Sequence, residues 1–346
     1  MQILRFILIP FSLIYGFILW IRNKLFDWGV KRTETVNTAV ISIGNLSVGG
    51  TGKSPHVQWI ADQLKGKYQI AILSRGYGRK SKGFVRVSAT SKSITAGDEA
   101  LYYKTRFKDH VEVAVCEKRA EGARRLIESY PKLEAIVLDD AYQHRYLHRD
   151  MNILLTDYSF PFHKDFVLPE GRLREFRSGK NRADAVIVTK CPDVISEKEK
   201  SLMKTSLKLS NSIDVYFSKV KYGAMIPFGV EEDFHLPEKI LLVAGIANPQ
   251  PLKDHLSKIG DVEMISFSDH HDFTTADILR IHKLFDTFAE HKKCIVTTSK
   301  DFVRLKNSIH EKTIQQYPWF YQEITVDIDR EKELVDKIEL HVRKNK

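Results

Sequence analysis

The run Gly49-Gly50-Thr51-Gly52-Lys53-Ser54 has the residue types and spacing needed to hold a nucleoside triphosphate. Glycines let backbone N–H groups close around phosphate oxygens, and a helix that starts there adds favourable potential. In this setting Ser47, Val48, Gly49, Gly50, Thr51 and Gly52 form the phosphate-binding loop. Lys53 would reach the β- and γ-phosphates, and the Ser54 hydroxyl would ligate Mg²⁺. One position departs from G-x-x-x-x-G-K-[ST]: its first glycine is Ser47. A second signal is Ala135-Ile136-Val137-Leu138-Asp139-Asp140, an apolar run ending in two carboxylates. Alone it would mean little. After a phosphate loop, Asp139 and Asp140 become candidates to hold Mg²⁺ directly or through water.

Two basic segments could receive an anionic acceptor. Between Asp62 and Asp98 there are eight Lys or Arg residues and no acid, part of which is an ordinary solvated face. Within that stretch, Ser74-Arg75-Gly76-Tyr77-Gly78-Arg79 follows a strand-like run, at the sheet end where open α/β folds bind ligands. The second knot is Gly171-Arg172-Leu173-Arg174 through Arg182. Arginine suits both, because its planar fork matches phosphate oxygens in pairs. Ser268-Asp269-His270-His271-Asp272 reads three ways: a surface loop, a weak metal pair, or a catalytic histidine brought across a cleft.

The whole-chain balance agrees with anionic partners. There are 54 Lys plus Arg against 44 Asp plus Glu, giving a formal charge of +10. Basic residues are not interleaved with aromatics, which argues against a nucleic-acid binder. Three widely spaced cysteines form neither a disulfide framework nor a zinc site, and fit a reducing compartment. With 43% hydrophobic and 28% charged residues, disordered and collagen-like classes are excluded.

The elements that must position these groups follow from periodicity. A chain of 346 residues predicts two domains. Residues 38–45 read as a buried strand and Gly52–Leu64 as a helix with Val57, Ile60, Ala61 and Leu64 on one face. Strand-like runs recur at Ile70–Leu73, Val111–Val115, Ala135–Leu138, Ile153–Leu155 and Ala185–Val188, with a helix at Lys118–Tyr130. Such alternation predicts a mostly parallel sheet covered by helices, here an α/β/α sandwich of the P-loop NTPase kind. A weaker stretch, Lys198–Glu238, precedes a second, smaller α/β pattern at Ile240–Ala244, Glu263–Phe267, Cys294–Thr298 and Glu323–Ile328. The expected division is an anchor over 1–30, a kinase core over 31–215, and a closing domain over 216–346.

Phe6 to Ile21 holds 16 residues without a charge, bounded by Arg5 and by Arg22 and Lys24. As a helix it covers ~24 Å, short of a ~30 Å hydrocarbon core. No small-residue cleavage site follows it, which weighs against a signal peptide. A buried core helix is the plainer alternative. Tyr15, Trp20 and the basic residues behind them favour a short membrane anchor or interfacial helix.

Absent motifs remove other P-loop classes. Val48 occupies the position of the signature lysine of MinD/ParA-like ATPases. Thr189-Lys190-Cys191-Pro192-Asp193 misses the guanine-reading N/T-K-x-D by one residue. A small-molecule or lipid kinase remains, with a membrane-associated P-loop hydrolase acting as a switch or metallochaperone as the alternative.

Ile43 through Pro55 resembles the phosphate loop of the tetraacyldisaccharide 4'-kinases of lipid A biosynthesis. That family's other segments appear in order: Ser74–Arg79, Gly97-Asp98-Glu99, Leu138-Asp139-Asp140 with Gln143-His144, and Leu168-Pro169 with Gly171 and Leu173-Arg174-Glu175. Asp269-His270-His271 and Ser299-Lys300-Asp301 complete the set. Arg119 is similar to a family arginine more loosely. Ala100 and Ala141 depart from the family's Pro and Gly, and Glu170 and Arg172 stand at variable positions.

The resemblance implies ATP- and Mg²⁺-dependent phosphorylation of the 4'-hydroxyl of an acylated glucosamine disaccharide 1-phosphate. The product would be lipid IV A, a lipopolysaccharide precursor, made on the cytoplasmic face of the inner membrane. It implies two α/β/α domains facing across a nucleotide cleft, with no obligate protein partner. Lys53 and an Asp98–His270 pair would be catalytic, and either member of the pair could take the proton. Arg75, Tyr77, Arg119, Gln143, Arg172, Arg174 and Glu175 would meet the lipid substrate.

Overall fold

The structure, a computed structural model, describes residues 2–230, 236–269, 271–306 and 311–345. At its centre is β1 (Ala39–Asn45), whose seven residues are all buried. A strand inside a parallel sheet is covered on both faces and takes such an unbroken apolar run. The chain then forms α2 (Lys53–Leu64), β2 (Ile70–Ser74), β3 (Val85–Arg86), α3 (Ser93–Ala96), α4 (Asp98–Phe107) and β4 (Glu112–Val115). Next come α5 (Arg119–Ser129), β5 (Ala135–Asp139), β6 (Met151–Asp157), β7 (Ala185–Thr189), α6 (Glu197–Leu207) and β8 (Asp214–Pro227). The remainder is β9 (Lys239–Ala244), α7 (Gln250–Leu256), β10 (Asp261–Ser266), α8 (Thr275–Asp286), β11 (Lys293–Thr298), α9 (Ser299–Lys306), α10 (Glu311–Ile314), β12 (Trp319–Ile328) and α11 (Glu331–Lys344). They are preceded by α1 (Gln2–Asp27).

Among the described residues, twelve strands form one sheet, in the order β10-β9-β11-β12-β8-β7-β6-β1-β5-β2-β4-β3. Strand β1 pairs in parallel with β5 on one side and β6 on the other. Its carboxyl end is therefore a point where successive connections diverge, the usual ligand crevice of an open α/β sheet.

Helices cover both faces. Val57, Ile60 and Leu64 of α2, Tyr103 of α4 and Ile338 of α11 pack with Ile41 and Ile43 on one side. Ala123 and Leu126 of α5 pack with Val40 and Leu138 on the other. Truncating a side chain as buried as Leu64 to Ala would cost about 2–5 kcal/mol. Beyond β8, α8 contributes Ile278, Ile281 and Phe285 to one face and α7 contributes Leu252 and Leu256 to the other. Helix α8 starts cleanly because Thr274 and Asp277 cap each other's backbone N–H groups.

Strand β8 joins the halves. Its residues 214–217 pair in parallel with β7, and residues 218–227 run antiparallel to β12. The expected boundary between residues 215 and 216 thus falls inside a strand shared by both halves. The stretch Lys198–Glu238 also holds α6 and a 14-residue strand. Past the buried residues 215–218, β8 is irregularly half-exposed, so little of its length carries a strand signal.

Candidate functional site

The phosphate loop leaves β1 and is held from three sides. Gly49 and Gly52 take positive φ, +104° and +82°, where a side chain would be strained. Asn45 donates to the Thr51 hydroxyl at 2.8 Å, and the Thr189 hydroxyl donates to the Thr51 carbonyl at 2.9 Å. Ser47 bridges to Leu173, and the Val48 N–H donates to the Arg172 carbonyl at 2.7 Å. One of the two basic segments read from the sequence therefore forms a wall of the loop.

Carboxylates gather at the mouth. Lys53 lies 3.7 Å from Asp140, which also receives a forked pair of bonds from Arg174 at 2.9–3.0 Å. Asp139 is wholly buried at the end of β5. Burial first, then the charges of Glu99 and Asp140, push its carboxyl up to about 7 against the pull of Lys53 and a bond from Tyr103. Its second oxygen, Oδ1, is buried with no hydrogen-bond partner.

Ser54 donates its hydroxyl to Glu99 at 2.8 Å, and Lys300 donates to the same oxygen at 2.8 Å. Burial would raise Glu99, but Lys300, Ser54 and Lys53 together bring it down to about 2. This residue was quoted in a sequence motif yet not given a role. The signal that could have found it is its place beside Asp98 at the start of a helix. Lys300, quoted in Ser299-Lys300-Asp301, likewise had no role, and Arg304 was missed; both come from α9 in the other half.

The unpartnered oxygen of Asp139, beside Ser54 and Asp140, makes an all-oxygen donor set suited to a hard cation. Among the described residues, no three His, Cys, Asp or Glu groups form a closed metal cage. Mg²⁺ at phosphoryl-transfer sites takes one or two carboxylates and completes its shell with water and phosphate. These residues fit that pattern.

Asp98 is the first residue of α4. Gly97, at φ +81°, turns the chain into the helix, and a Cβ there would sit 2.8 Å from the Tyr77 carbonyl oxygen. The two motifs Ser74–Arg79 and Gly97–Glu99 are thereby pressed together. Asp98 accepts a bond from Arg304 at 2.6 Å. His270 lies outside the described residues. His271 turns into its own half, 3.0 Å from Asp277 and stacked on Phe267.

The other expected substrate contacts divide into two groups. Arg75 and Tyr77 are exposed beyond β2. Arg119 is buried and donates to the carbonyls of Cys116 and Asp139, so it braces the strand end. Burial and the charges of Arg119, Arg75 and Arg22 depress neighbouring His144 to about 4, marking a strongly cationic recess. Gln143 donates to Asn45 and to Glu175, and Glu175 also receives Asn23 and Arg182. Arg172 is exposed and paired with Asp165 at 3.0 Å.

A family model described as tetraacyldisaccharide-1-P 4'-kinase matches residues 4–343. The tetraacyldisaccharide 4'-kinase of Cytophaga hutchinsonii is 41% identical, across 99% of this chain and 97% of that one. That of Flavobacterium johnsoniae is 44% identical, across 89% of each. A crystal structure of the "apo" form of LpxK from Aquifex aeolicus in complex with ATP superposes with a TM-score of 0.75. It is 30% identical, covering 98% of this chain and 99% of that one.

Proposed function

The chain belongs to the tetraacyldisaccharide-1-P 4'-kinase family, and from that membership we infer that it transfers the γ-phosphoryl group of ATP to the 4'-hydroxyl of tetraacyldisaccharide 1-phosphate. The reaction forms lipid IV A. The observation that carries the reading in this chain is the junction of phosphate loop and carboxylates, with Lys53, Ser54, Glu99, Asp139 and Asp140 at one mouth.

Phosphoryl transfer needs in-line positioning and neutralised charge more than covalent help. The loop N–H groups and Lys53 supply the charge on the nucleotide side. Ser54, Asp139 and Asp140, with Glu99 adjoining, are the residues that would hold Mg²⁺, which when bound shields the phosphate oxygens as charge moves onto the departing ADP. An acceptor oxygen forms the new bond to phosphorus as the bond to the β-phosphate oxygen breaks, and its proton must leave. Asp98 stands at the start of α4 to receive or direct that proton, with His270 as the partner the family pattern gives it. Arg304 bonds Asp98 at 2.6 Å and fixes its direction, and a carboxyl group held this way can orient an imidazole. The recess of Arg22, Arg75 and Arg119 suits the anionic acceptor.

Membrane contact through α1 completes the proposal. Ile7–Asp27 is long and apolar enough to cross a bilayer, and most of it is exposed. An acceptor held in a bilayer is met best by an enzyme resting there, on the cytoplasmic side where ATP is found.

Incubation with ATP, Mg²⁺ and the disaccharide 1-phosphate should give a lipid product heavier by one phosphoryl group. Nucleotide turnover with no phosphorylated lipid would overturn the assignment in favour of a P-loop hydrolase.

A further inference from the structure

Helix α1 does not stand free of the protein. Ser12, Gly16 and Phe26 form a buried stripe along it. Ser12 accepts the Glu170 N–H at 2.9 Å, and a Cβ on Gly16 would sit 2.5 Å from the Phe176 ring. Lower down, Arg22 donates to the Gln143 carbonyl and Asn23 to Glu175. The rest of its circumference is apolar and open: Ile7, Phe11, Ile14 and Ile18 are each more than half exposed.

The segment that follows α1 up to Ser12 has a lipid-like surface of its own. Phe160 is 62% exposed and Phe166 41% exposed. Arg172 stands over the first ring at 4.7 Å and Arg177 over the second at 5.3 Å. Lys164 is exposed between them. Aromatic rings paired with cations suit the headgroup level, where the ring is apolar and the charge meets anionic phosphate.

We propose that the Ser159–Ser178 segment is a second membrane-contact surface, seating Phe160 and Phe166 in the headgroup layer of an anionic bilayer, and that α1 lies along that interface instead of crossing it. The proposal rests on the reading that α1 meets lipid. Its geometry comes from one constraint. Ser12 to Asp27 spans ~22 Å of helix. Were α1 upright with Asp27 at the surface, the folded segment carrying Lys164, Asp165, Arg172 and Arg177 would be drawn to about that depth. Charges at the bilayer centre are among the costliest groups to place there. A helix lying in the interface keeps them at headgroup level with its apolar face still buried.

The arrangement also serves the chemistry. The same segment continues through Arg172, whose carbonyl holds the Val48 N–H, to Arg174 on Asp140. Seating Phe160 and Phe166 would thus set the phosphate loop at the height of a lipid headgroup.

The test uses the full chain and phosphatidylethanolamine vesicles with and without phosphatidylglycerol. Wild type should float with the anionic vesicles, and the Phe160→Ser/Phe166→Ser variant should bind about tenfold more weakly. Its thermal melt and its turnover of detergent-dispersed acceptor should be unchanged. Arg177→Gln should lose mainly the phosphatidylglycerol dependence. Failure of wild type to float removes the reading beneath the proposal, and the proposal with it. Equal flotation of wild type and the double variant overturns the second surface while leaving α1 in place. Depth is read separately. The native cysteines Cys116, Cys191 and Cys294 are buried, so labels at Phe166→Cys and Ile14→Cys report alone. Both should be quenched by a shallow lipid nitroxide. Deep quenching at Ile14 with none at Phe166 would show a spanning helix and sink the proposal.

Discussion

On the β1 side of β8, strand ends and the helix after them deliver acids to the crevice: Asp139 and Asp140 after β5, and Asp98 and Glu99 opening α4. On the β12 side, the helix following β11 delivers cations, Lys300 and Arg304, pointed back at those acids. Both halves are three-layered α/β units, yet one collects negative charge and the other answers it. Because like charges close together raise one another's pKa values, the first half alone would be a poor place to keep Glu99 ionised beside Asp139. The second half makes that tolerable. On the proposed function the halves do unequal work, the first offering the residues for phosphate and metal, the second answering the charge around them.

The largest effect should come from breaking the first half at its one loop cation. Lys53→Ala removes the charge facing the transferred group and should lower turnover by ~10²–10³ with the fold intact. Single-turnover rates at saturating ATP measure it. A folded variant with near wild-type rates would show that the loop is not the phosphate site.

Next are the two strand-end acids, and here they should differ. Asp139 has a buried oxygen without a partner, whereas Asp140 is already engaged by Arg174 and Lys53. Asp139→Asn should shift the Mg²⁺ midpoint upward more than Asp140→Asn, in a titration of rate against Mg²⁺. Identical midpoints to wild type in both variants would remove them from the metal site.

A smaller loss should follow from the answering half. Lys300→Met keeps the stem and deletes the charge that holds Glu99 low. The expected drop is about ten- to a hundredfold, the scale of one charge-assisted hydrogen bond of ~1.5–3 kcal/mol. Lys300→Arg should recover part of it. Loss of thermal stability with unchanged kcat would make Lys300 structural only.

The first half was legible in the sequence because its chemistry is local. A buried strand, the glycines Gly49, Gly50 and Gly52, and an amphipathic helix announce the phosphate loop between residues 39 and 64. The answering half was not, because Lys300 and Glu99 are 201 residues apart and nothing local marks them as partners. Strand β8 escaped for another reason: past residues 215–218 it is half exposed, so its buried run is short beside the seven buried residues of β1. Arg119 shows a different limit: the family resemblance marks it for the substrate, and the side chain is buried against backbone carbonyls at the edge of the cationic recess.

The finest test of the comparison concerns a histidine in each half. His56, in α2, is fully buried; its Nδ1 lies 2.7 Å from the Gly52 carbonyl and its Nε2 2.9 Å from the Ser218 hydroxyl on β8. His282, in α8, accepts the Trp319 indole N–H at 3.0 Å and stacks on Tyr317. Burial lowers both rings from 6.5 to about 4. The sign follows directly: the unfolded chain takes up a proton first, so the stability from each neutral ring is full above about pH 6.5 and is lost as pH falls toward 4. For a shift of this size the loss is about 3 kcal/mol per ring at most. Asn places an N–H where Nδ1 stands, and Gln places one where Nε2 stands. His56→Asn should therefore keep the Gly52 carbonyl pinned and leave KM for ATP within about twofold. His56→Gln leaves that carbonyl only the long 3.4 Å bond from the residue-56 N–H and should raise KM by several-fold, since the Gly52–Lys53 peptide sets how the Lys53 N–H faces phosphate. His282→Asn should flatten the acid loss of stability equally without touching KM. Denaturant midpoints from pH 4 to 7, set beside ATP saturation curves, separate the two. A KM change at His282 as large as at His56 would dissolve the division of labour between the halves.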